Sequence, residues 1–184
     1  MPDLQHPLGY ASPSNQMLIT PEKLQERIVE LGRQIETDYA DKELVMVCIL
    51  KGGVLFLTDL MRAVHSPLAI DFMAVTSYGI GARESTGVVR IIMDLERDIR
   101  DKHVLIVEDI IDSGRTLSYI CNVLQSRQPA SLKICTLLNK YERREIDVPL
   151  DYVGFDIPNE FVFGYGLDVD ELYRNLPFIG VLRD

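Results

Sequence analysis

The chain has 184 residues, 47% of them hydrophobic, which suits one domain built around a single filled core. Its 28 Asp and Glu against 19 Lys and Arg leave a net charge of -9, the wrong sign for a general binder of nucleic-acid phosphates. No apolar run approaches membrane-spanning length, and the opening MPDLQHPLGYASPSNQ has neither the basic flank nor the apolar stretch of a secretory signal.

Residues 1–15, with their Pro, Ser and Asn, read as a loose tail on a single 1–184 domain. Thr20, Pro21 and Glu22 then supply an N-cap, a proline at the first helical position and an acid in the first turn. Leu24, Ile28, Leu31 and Ile35 follow at helical spacing, so a helix is expected from about 21 to 39. LVMVCIL, residues 44–50, is short and continuously apolar, as a strand buried on both faces must be, and such strands belong to parallel sheets. VLFLTDLMRAV, 54–64, reads as the crossover helix and 68–76 as the second strand.

The stretch SYGIGARESTG, 77–87, has no period and is rich in glycine and small polar residues, so it reads as a long loop of the kind that usually carries function. Val88 to Met93 returns as a strand and 97–102 is a charged connection. Val104 to Val107 makes a central strand. Leu117, Ile120, Cys121 and Leu124 then recur at i, i+3, i+4 and i+7, giving a helix from about 115 to 126. Residues 131–138 form a further strand, with short ones near 153–155, 161–163 and 179–182. Alternating strands and helices imply a doubly wound parallel sheet, whose ligands sit beyond the carboxyl ends of the strands where the strand order reverses. Cys48, Cys121 and Cys135 lie singly among apolar neighbours without CxxC spacing, as small buried hydrophobes in a reducing cytoplasm do.

The turn 108–116, EDIIDSGRT, lies where that rule places a site. A helix N-terminus offers unpaired N–H groups and partial positive charge, so Asp112 to Thr116, with two hydroxyls and Gly114 for close backbone approach, suits a phosphate dianion. A lone acid or hydroxyl there would more often be a simple cap. Capping does not account for Glu108 and Asp109. Two adjacent acids at the exit of a buried strand repel one another unless a cation or a set of hydroxyl donors lies opposite, and a ribose diol with a metal supplies both.

VLIVEDIIDSGRTL, 104–117, resembles the phosphoribosyl diphosphate signature of the type I phosphoribosyltransferases. Leu50-Lys51-Gly52-Gly53, Ser77-Tyr78, Lys140 and FDIPNEFVFGYGLD at 155–168, with Arg174 beyond, extend the resemblance over residues 40–184 and toward the hypoxanthine-guanine branch. The fold implied is α/β, a mostly parallel twisted sheet flanked by helices, with a small hood formed by the terminal segments. The implied activity moves a phosphoribosyl group from phosphoribosyl diphosphate to N9 of hypoxanthine or guanine, giving IMP or GMP, with Mg2+ as cofactor and a homodimer or homotetramer as the assembly. No nucleic acid or membrane partner is expected, and the location implied is cytoplasmic.

The same resemblance assigns the residues. Glu108 and Asp109 face the ribose hydroxyls and the metal. Asp112, Ser113, Gly114, Arg115 and Thr116 wrap the 5'-phosphate, and Asp112 exchanges a proton with N7 of the purine. Lys140 donates to O6, Phe161 stacks on the ring, the Val162 backbone reads its edge, and Asp168 lies near the base and positions a second metal through water. Lys51 and Gly52 hold the diphosphate, their peptide expected in a cis or strained form, together with Arg174. Ser77 and Tyr78 belong to a lid that keeps water from the developing sugar cation. Arg143-Arg144, within the otherwise unassigned 141–150, is either a solvated turn or part of a subunit contact.

Two other enzyme classes fail on spacing: there is no GxxxxGK[ST], and Gly79-Ile80-Gly81 lacks the third glycine and the apolar helix of a dinucleotide fingerprint. The alternative is a nucleotide-sensing RNA- or DNA-binding regulator on the same fold. Such a protein needs a basic face, which the acidic balance argues against.

Overall fold

The computed structural model describes residues 15–78 and 88–182. The tail 1–14 and residues 79–87 of the expected lid lie outside them.

Thirteen elements follow in order: β1 (Asn15–Ile19), α1 (Pro21–Asp38), β2 (Leu44–Leu50), α2 (Val54–Ala63), β3 (Ala69–Tyr78), β4 (Val88–Met93), β5 (His103–Ile111), α3 (Arg115–Gln125), β6 (Ser131–Asn139), a 3-10 turn at Tyr141–Arg143, β7 (Tyr152–Asp156), β8 (Phe161–Phe163) and β9 (Ile179–Leu182). Helix α1 starts as its sequence dictates: the Thr20 hydroxyl accepts from Lys23 N at 3.4 Å and Pro21 opens the first turn. Its stripe of Leu24, Ile28, Leu31 and Ile35 is buried, each side chain worth about 1.5–3 kcal/mol of transfer from water. No helix among the described residues is long and apolar enough to cross a membrane.

The main sheet has the order β4-β3-β2-β5-β6-β7. All its pairs are parallel except β3 with β4, so the return strand 88–93 is an antiparallel edge. Successive residues of a strand point to opposite faces, and β2 is apolar throughout because both faces are covered. Leu44, Met46 and Cys48 enter a core with α1 and α2, while Val45, Val47 and Ile49 enter a second core with α3. From the adjacent β2 and β5 the chain winds outward in opposite directions, toward β3 and toward β6. A right-handed crossover on each side then puts α2 and α3 on opposite faces. The crevice at the carboxyl ends of β2 and β5 is the switch point.

Three readings of the sequence change. Glu108 and Asp109 do not sit in a turn, because β5 runs on to Ile111 and Glu108 pairs with Thr136 in the ladder; only Asp112 to Gly114 remain between strand and helix. The apolar Ile110 and Ile111 continue the ladder past the acids. Ser77 and Tyr78 end β3, opposite Val89 and Val88, rather than opening a loop. Asn15, read as the end of the tail, instead opens the strand Asn15–Ile19: it pairs antiparallel with β9, and β9 with β8, making the expected hood of terminal segments a separate three-stranded sheet.

The cysteines are free, with Cys48 and Cys135 buried and Cys121 half-buried.

Candidate active site

The carboxyl end of β2 delivers Lys51 and Gly52 against the carboxyl end of β5. A cis peptide is present, but it is Leu50–Lys51, one bond before the Lys51–Gly52 peptide expected from the sequence. What requires glycine at 52 is crowding: a Cβ there would lie 1.6 Å from Asp109 Oδ2 and 2.6 Å from its Cγ. Asp109 is buried, and its Oδ1 accepts from Ile110 N at 2.8 Å. The Gly52 carbonyl in turn meets Gly166 of the hood segment, where a Cβ would come within 2.1 Å of it.

The two acids are strained electrostatically. Glu108 is half-buried as a residue, yet its Oε2 is sealed from solvent and has no hydrogen-bond partner. Burial first, and then the charge of Asp109, push the Glu108 carboxyl well above its usual range. Burial also raises Asp109, while the Ile110 N–H and the Arg174 guanidinium draw it partly back. A carboxyl raised in the folded state binds its proton more tightly there than in the unfolded chain. Its stabilisation is therefore complete below the unfolded value of about 4.3 and is lost as pH rises through the folded one. Ligand-free protein in a chelator is expected to lose stability from pH 5 toward pH 8. Glu108→Gln should flatten that slope and raise Tm at pH 7.5 by roughly 2–12 °C, from about 1–3 kcal/mol for removing a buried unpaired charge in a chain of this size. Thermal unfolding scans across that range read it directly, and an unchanged slope would contradict the assignment.

An orphaned buried carboxylate oxygen is what a hard cation would satisfy. Among the described residues no cluster of three or more His, Cys, Asp and Glu could hold a metal alone. The acid pair fits Mg2+, which is commonly held by one or two carboxylates and completed by substrate phosphates and water.

Beyond β5 the chain turns through Asp112, Ser113 and Gly114. Gly114 has φ 83° and is the N-cap of α3, contributing no side-chain hydrogen bond; Ser113 Oγ reaches only Arg115 N, at 3.4 Å. That one long contact is all the side-chain capping the turn has, and the next N–H groups of α3, of Thr116 and Leu117, stay available to an anion. Thr116 is half-buried in the same first turn. The Arg115 guanidinium is turned away to Glu145, its Nε 2.6 Å from Oε2, so only its backbone serves the turn. Asp112 Oδ1 lies 3.2 Å from Arg143 Nε without hydrogen-bond geometry.

The end of β6 brings Lys140 beside this turn, its N–H donating to Ile111 O at 3.0 Å. Lys140 is buried, and burial lowers its ammonium pKa while the Asp112 charge raises it. In the hood, β8 carries Phe161, 55% exposed, and the buried Val162. A ring left that open at a strand end is not part of the core and is free to stack on a ligand.

Residues 164–174 close the far side. Tyr165, Asp170, Glu171 and Tyr173 all have positive φ, a concentration of the kind found at functional sites. Arg174 donates from Nη1 to Gly166 O at 2.7 Å and pairs through Nη2 with Asp168 at 2.8 Å. Asp168 also accepts from Glu171 N at 2.9 Å, and Glu171 pairs with Lys51 at 2.9 Å. Lys51, Gly52, Asp109, Asp168 and Arg174 thus form one cluster, and Asp112 with Lys140 forms its neighbour. Ser77 and Tyr78 end β3, two strands away from β5 in the sheet. Glu171 and Gly166 went unnoticed in the sequence; the one available signal was a glycine inside the matched FDIPNEFVFGYGLD stretch.

Comparison with known proteins finds relatives across most of the chain. Residues 17–170 match the model of the phosphoribosyl transferase domain family. The hypoxanthine-guanine phosphoribosyltransferase of Mycobacterium tuberculosis is 52% identical over 179 residues, covering 94% of this chain and 88% of that protein. The hypoxanthine phosphoribosyltransferase of Salmonella typhimurium is 52% identical over 167 residues, 90% of this chain and 93% of that one. A crystal structure of a hypoxanthine phosphoribosyltransferase from Staphylococcus aureus superposes with a TM-score of 0.88 at 52% identity, covering 91% of each chain.

Proposed function

This chain belongs to the phosphoribosyltransferase family, and from that premise we propose that it is a purine-salvage transferase acting on hypoxanthine and guanine. It joins N9 of the base to C1 of the phosphoribosyl group, giving IMP or GMP and diphosphate. The observation that carries the reading is the acid pair Glu108–Asp109, with Asp109 packed on Gly52, at the end of the strand that leads through a short turn into a helix N-terminus with no N-cap side-chain hydrogen bond. A diol and a phosphate monoester on one sugar match those two features.

The side chains divide the work. The Ser113 and Gly114 amides with the first turn of α3 bind the 5'-phosphate, and Thr116 contributes its hydroxyl. Glu108 and Asp109 orient the ribose hydroxyls and would hold Mg2+, with Asp168 positioning a second ion through water. When bound with substrate, the metal neutralises diphosphate charge and makes it a better leaving group. Lys51, the Gly52 backbone and Arg174 bind the diphosphate, so Lys51 and Arg174 exchange their present carboxylate partners for phosphate oxygens. As the C1–O bond breaks, its electron pair leaves with diphosphate and the N9 lone pair forms the new bond. The positive charge arriving on the base is removed when Asp112 takes the N7 proton. Phe161 stacks on the ring, the Val162 backbone meets its edge, and Ser77 and Tyr78 belong to the lid. A cytoplasmic dimer or tetramer completes the proposal, in keeping with three free cysteines.

Selectivity rests on Lys140. A buried ammonium donates to a 6-oxo group but is left poorly paired by a 6-amino group, so adenine is rejected. The test is IMP formation from hypoxanthine, phosphoribosyl diphosphate and Mg2+, and its absence would sink the reading. With the assay in hand, Lys140→Ala is expected to raise KM for hypoxanthine by roughly 10- to 150-fold, equivalent to about 1.5–3 kcal/mol for a hydrogen bond to a charged group. It should also narrow the preference over adenine; selectivity kept intact would remove Lys140 from this role. The regulator alternative has no observation in its favour, since the relatives matched here carry enzyme names.

A further inference from the structure

Asn139 and residues 144–146 carry no role in the reaction described so far, yet they are fastened to the phosphate turn by a set of hydrogen bonds. Arg144, half-buried, donates from Nε to the main-chain oxygen of Asp112 at 3.3 Å and from Nη2 to Asn139 Oδ1 at 2.6 Å. Asn139 is itself held, its Nδ2 donating to Asp156 Oδ1 at 2.7 Å. The next two amides, of Glu145 and Ile146, both donate to Ser113 O at 3.0 Å. Behind Gly114 the space a Cβ would need is filled by Ile146 O at 2.4 Å and Arg144 Cδ at 3.1 Å. Two arginines that the sequence left as a solvated turn or a subunit contact thus divide: Arg143 is exposed, and Arg144 is built into the turn.

Peptide planarity turns these contacts into a consequence. In a trans peptide the C=O and the following N–H point in opposite directions. Drawing the Asp112 and Ser113 carbonyls toward residues 144–146 therefore aims the Ser113 and Gly114 N–H groups away from that segment. Two consecutive donors directed to one side ahead of a helix N-terminus make an anion-binding concavity. We propose that Arg144 is a positioning residue for the 5'-phosphate: it fixes the peptide after Asp112 so that the turn presents its amides to the anion. The inference rests on the reading of 112–116 as the phosphate site. It adds that the segment after the base-reading Lys140 forms the rear wall of that site.

The discriminating measurement compares a nucleotide with its nucleoside. Competitive inhibition constants for IMP and inosine are measured on the full-length wild-type enzyme and on Arg144→Ala, Arg144→Lys and Asn139→Ala. In Arg144→Ala, IMP is expected to weaken about tenfold while inosine changes by less than about twofold, because inosine lacks the phosphate that the turn's amides bind. Arg144→Lys should recover part of the loss, millimolar guanidinium should partly restore IMP binding to Arg144→Ala but not alter wild type, and Asn139→Ala should weaken IMP in the same direction. Parallel weakening of IMP and inosine would mean a general structural role and overturn the proposal, as would unaltered IMP binding. A wild-type enzyme that binds IMP no better than inosine would instead bring down the phosphate-site reading beneath it.

Discussion

Asp112→Asn is expected to lower kcat by about 10²- to 10⁴-fold, the usual contribution of a positioned acid or base, while the affinity for IMP stays within about threefold of wild type. Asparagine keeps the shape and can still accept from N7–H, but it cannot take the proton. The substitution is clean because the Asp112 side chain does little for the fold. Its Oδ1 has no hydrogen-bond partner, and the Arg143 pair is between side chains 41% and 54% exposed, where ion pairs contribute little. The contact that shapes the turn is made by the main-chain oxygen of Asp112, which the change leaves in place. Single-turnover rates with an IMP titration separate the two quantities. A rate near wild type would exclude Asp112 as the proton acceptor, and a large loss of IMP affinity would mean that it serves binding instead.

Gly52→Ala is expected to cost about 10²-fold in kcat/KM for phosphoribosyl diphosphate, the scale of a misplacement near 1 Å at a reacting centre. The new methyl would need the space of the Asp109 carboxylate, and Asp109 cannot yield easily because it is buried and bonded to Ile110 N. Either the Lys51–Gly52 turn lifts from β5 or the carboxylate rotates out of the ribose position. Both separate groups that must act on one substrate. Overpacking should also lower stability by about 1–3 kcal/mol. Gly53→Ala is the internal contrast: its Cβ would meet Cys48 Sγ at 3.1 Å and two carbonyl oxygens at 3.2 Å, so a milder effect is expected. Steady-state kinetics and thermal unfolding of the two variants together test the idea. Equal effects, or a Gly52→Ala enzyme with wild-type kinetics, would show that the approach of the two strand ends is not what sets activity.

Much of this site could be read from local chemistry. Val104 to Val107 announces a doubly buried strand, and the acids that follow need an external partner whatever the fold. Ser113, Gly114 and the apolar spacing from Leu117 mark a helix start. The same reasoning puts the acids in a turn, because a charged pair commonly ends a buried strand; Ile110 and Ile111 are the contrary signal, and pairing with β6 carries the ladder past the acids. NQMLI was overlooked because five residues of mixed polarity become a strand only when β9 supplies the partner 160 or so residues later. Arg144 stayed ambiguous for a related reason. Nothing beside it in the chain distinguishes a solvated arginine from one that holds a carbonyl 32 residues upstream.

The sequence by itself determined the two-sided burial of β2 and β5, the helix starts, the chemical character of the turn and, through the matched stretches, the family. Only the tertiary structure decided that β2 lies next to β5, that Gly52 and Asp109 share one volume, and that residues 144–146 stand behind the phosphate turn. Periodicity and capping are local, set within a few residues by backbone geometry. Which strand ends meet is set by burying both faces of a sheet at once, and that condition involves the whole chain.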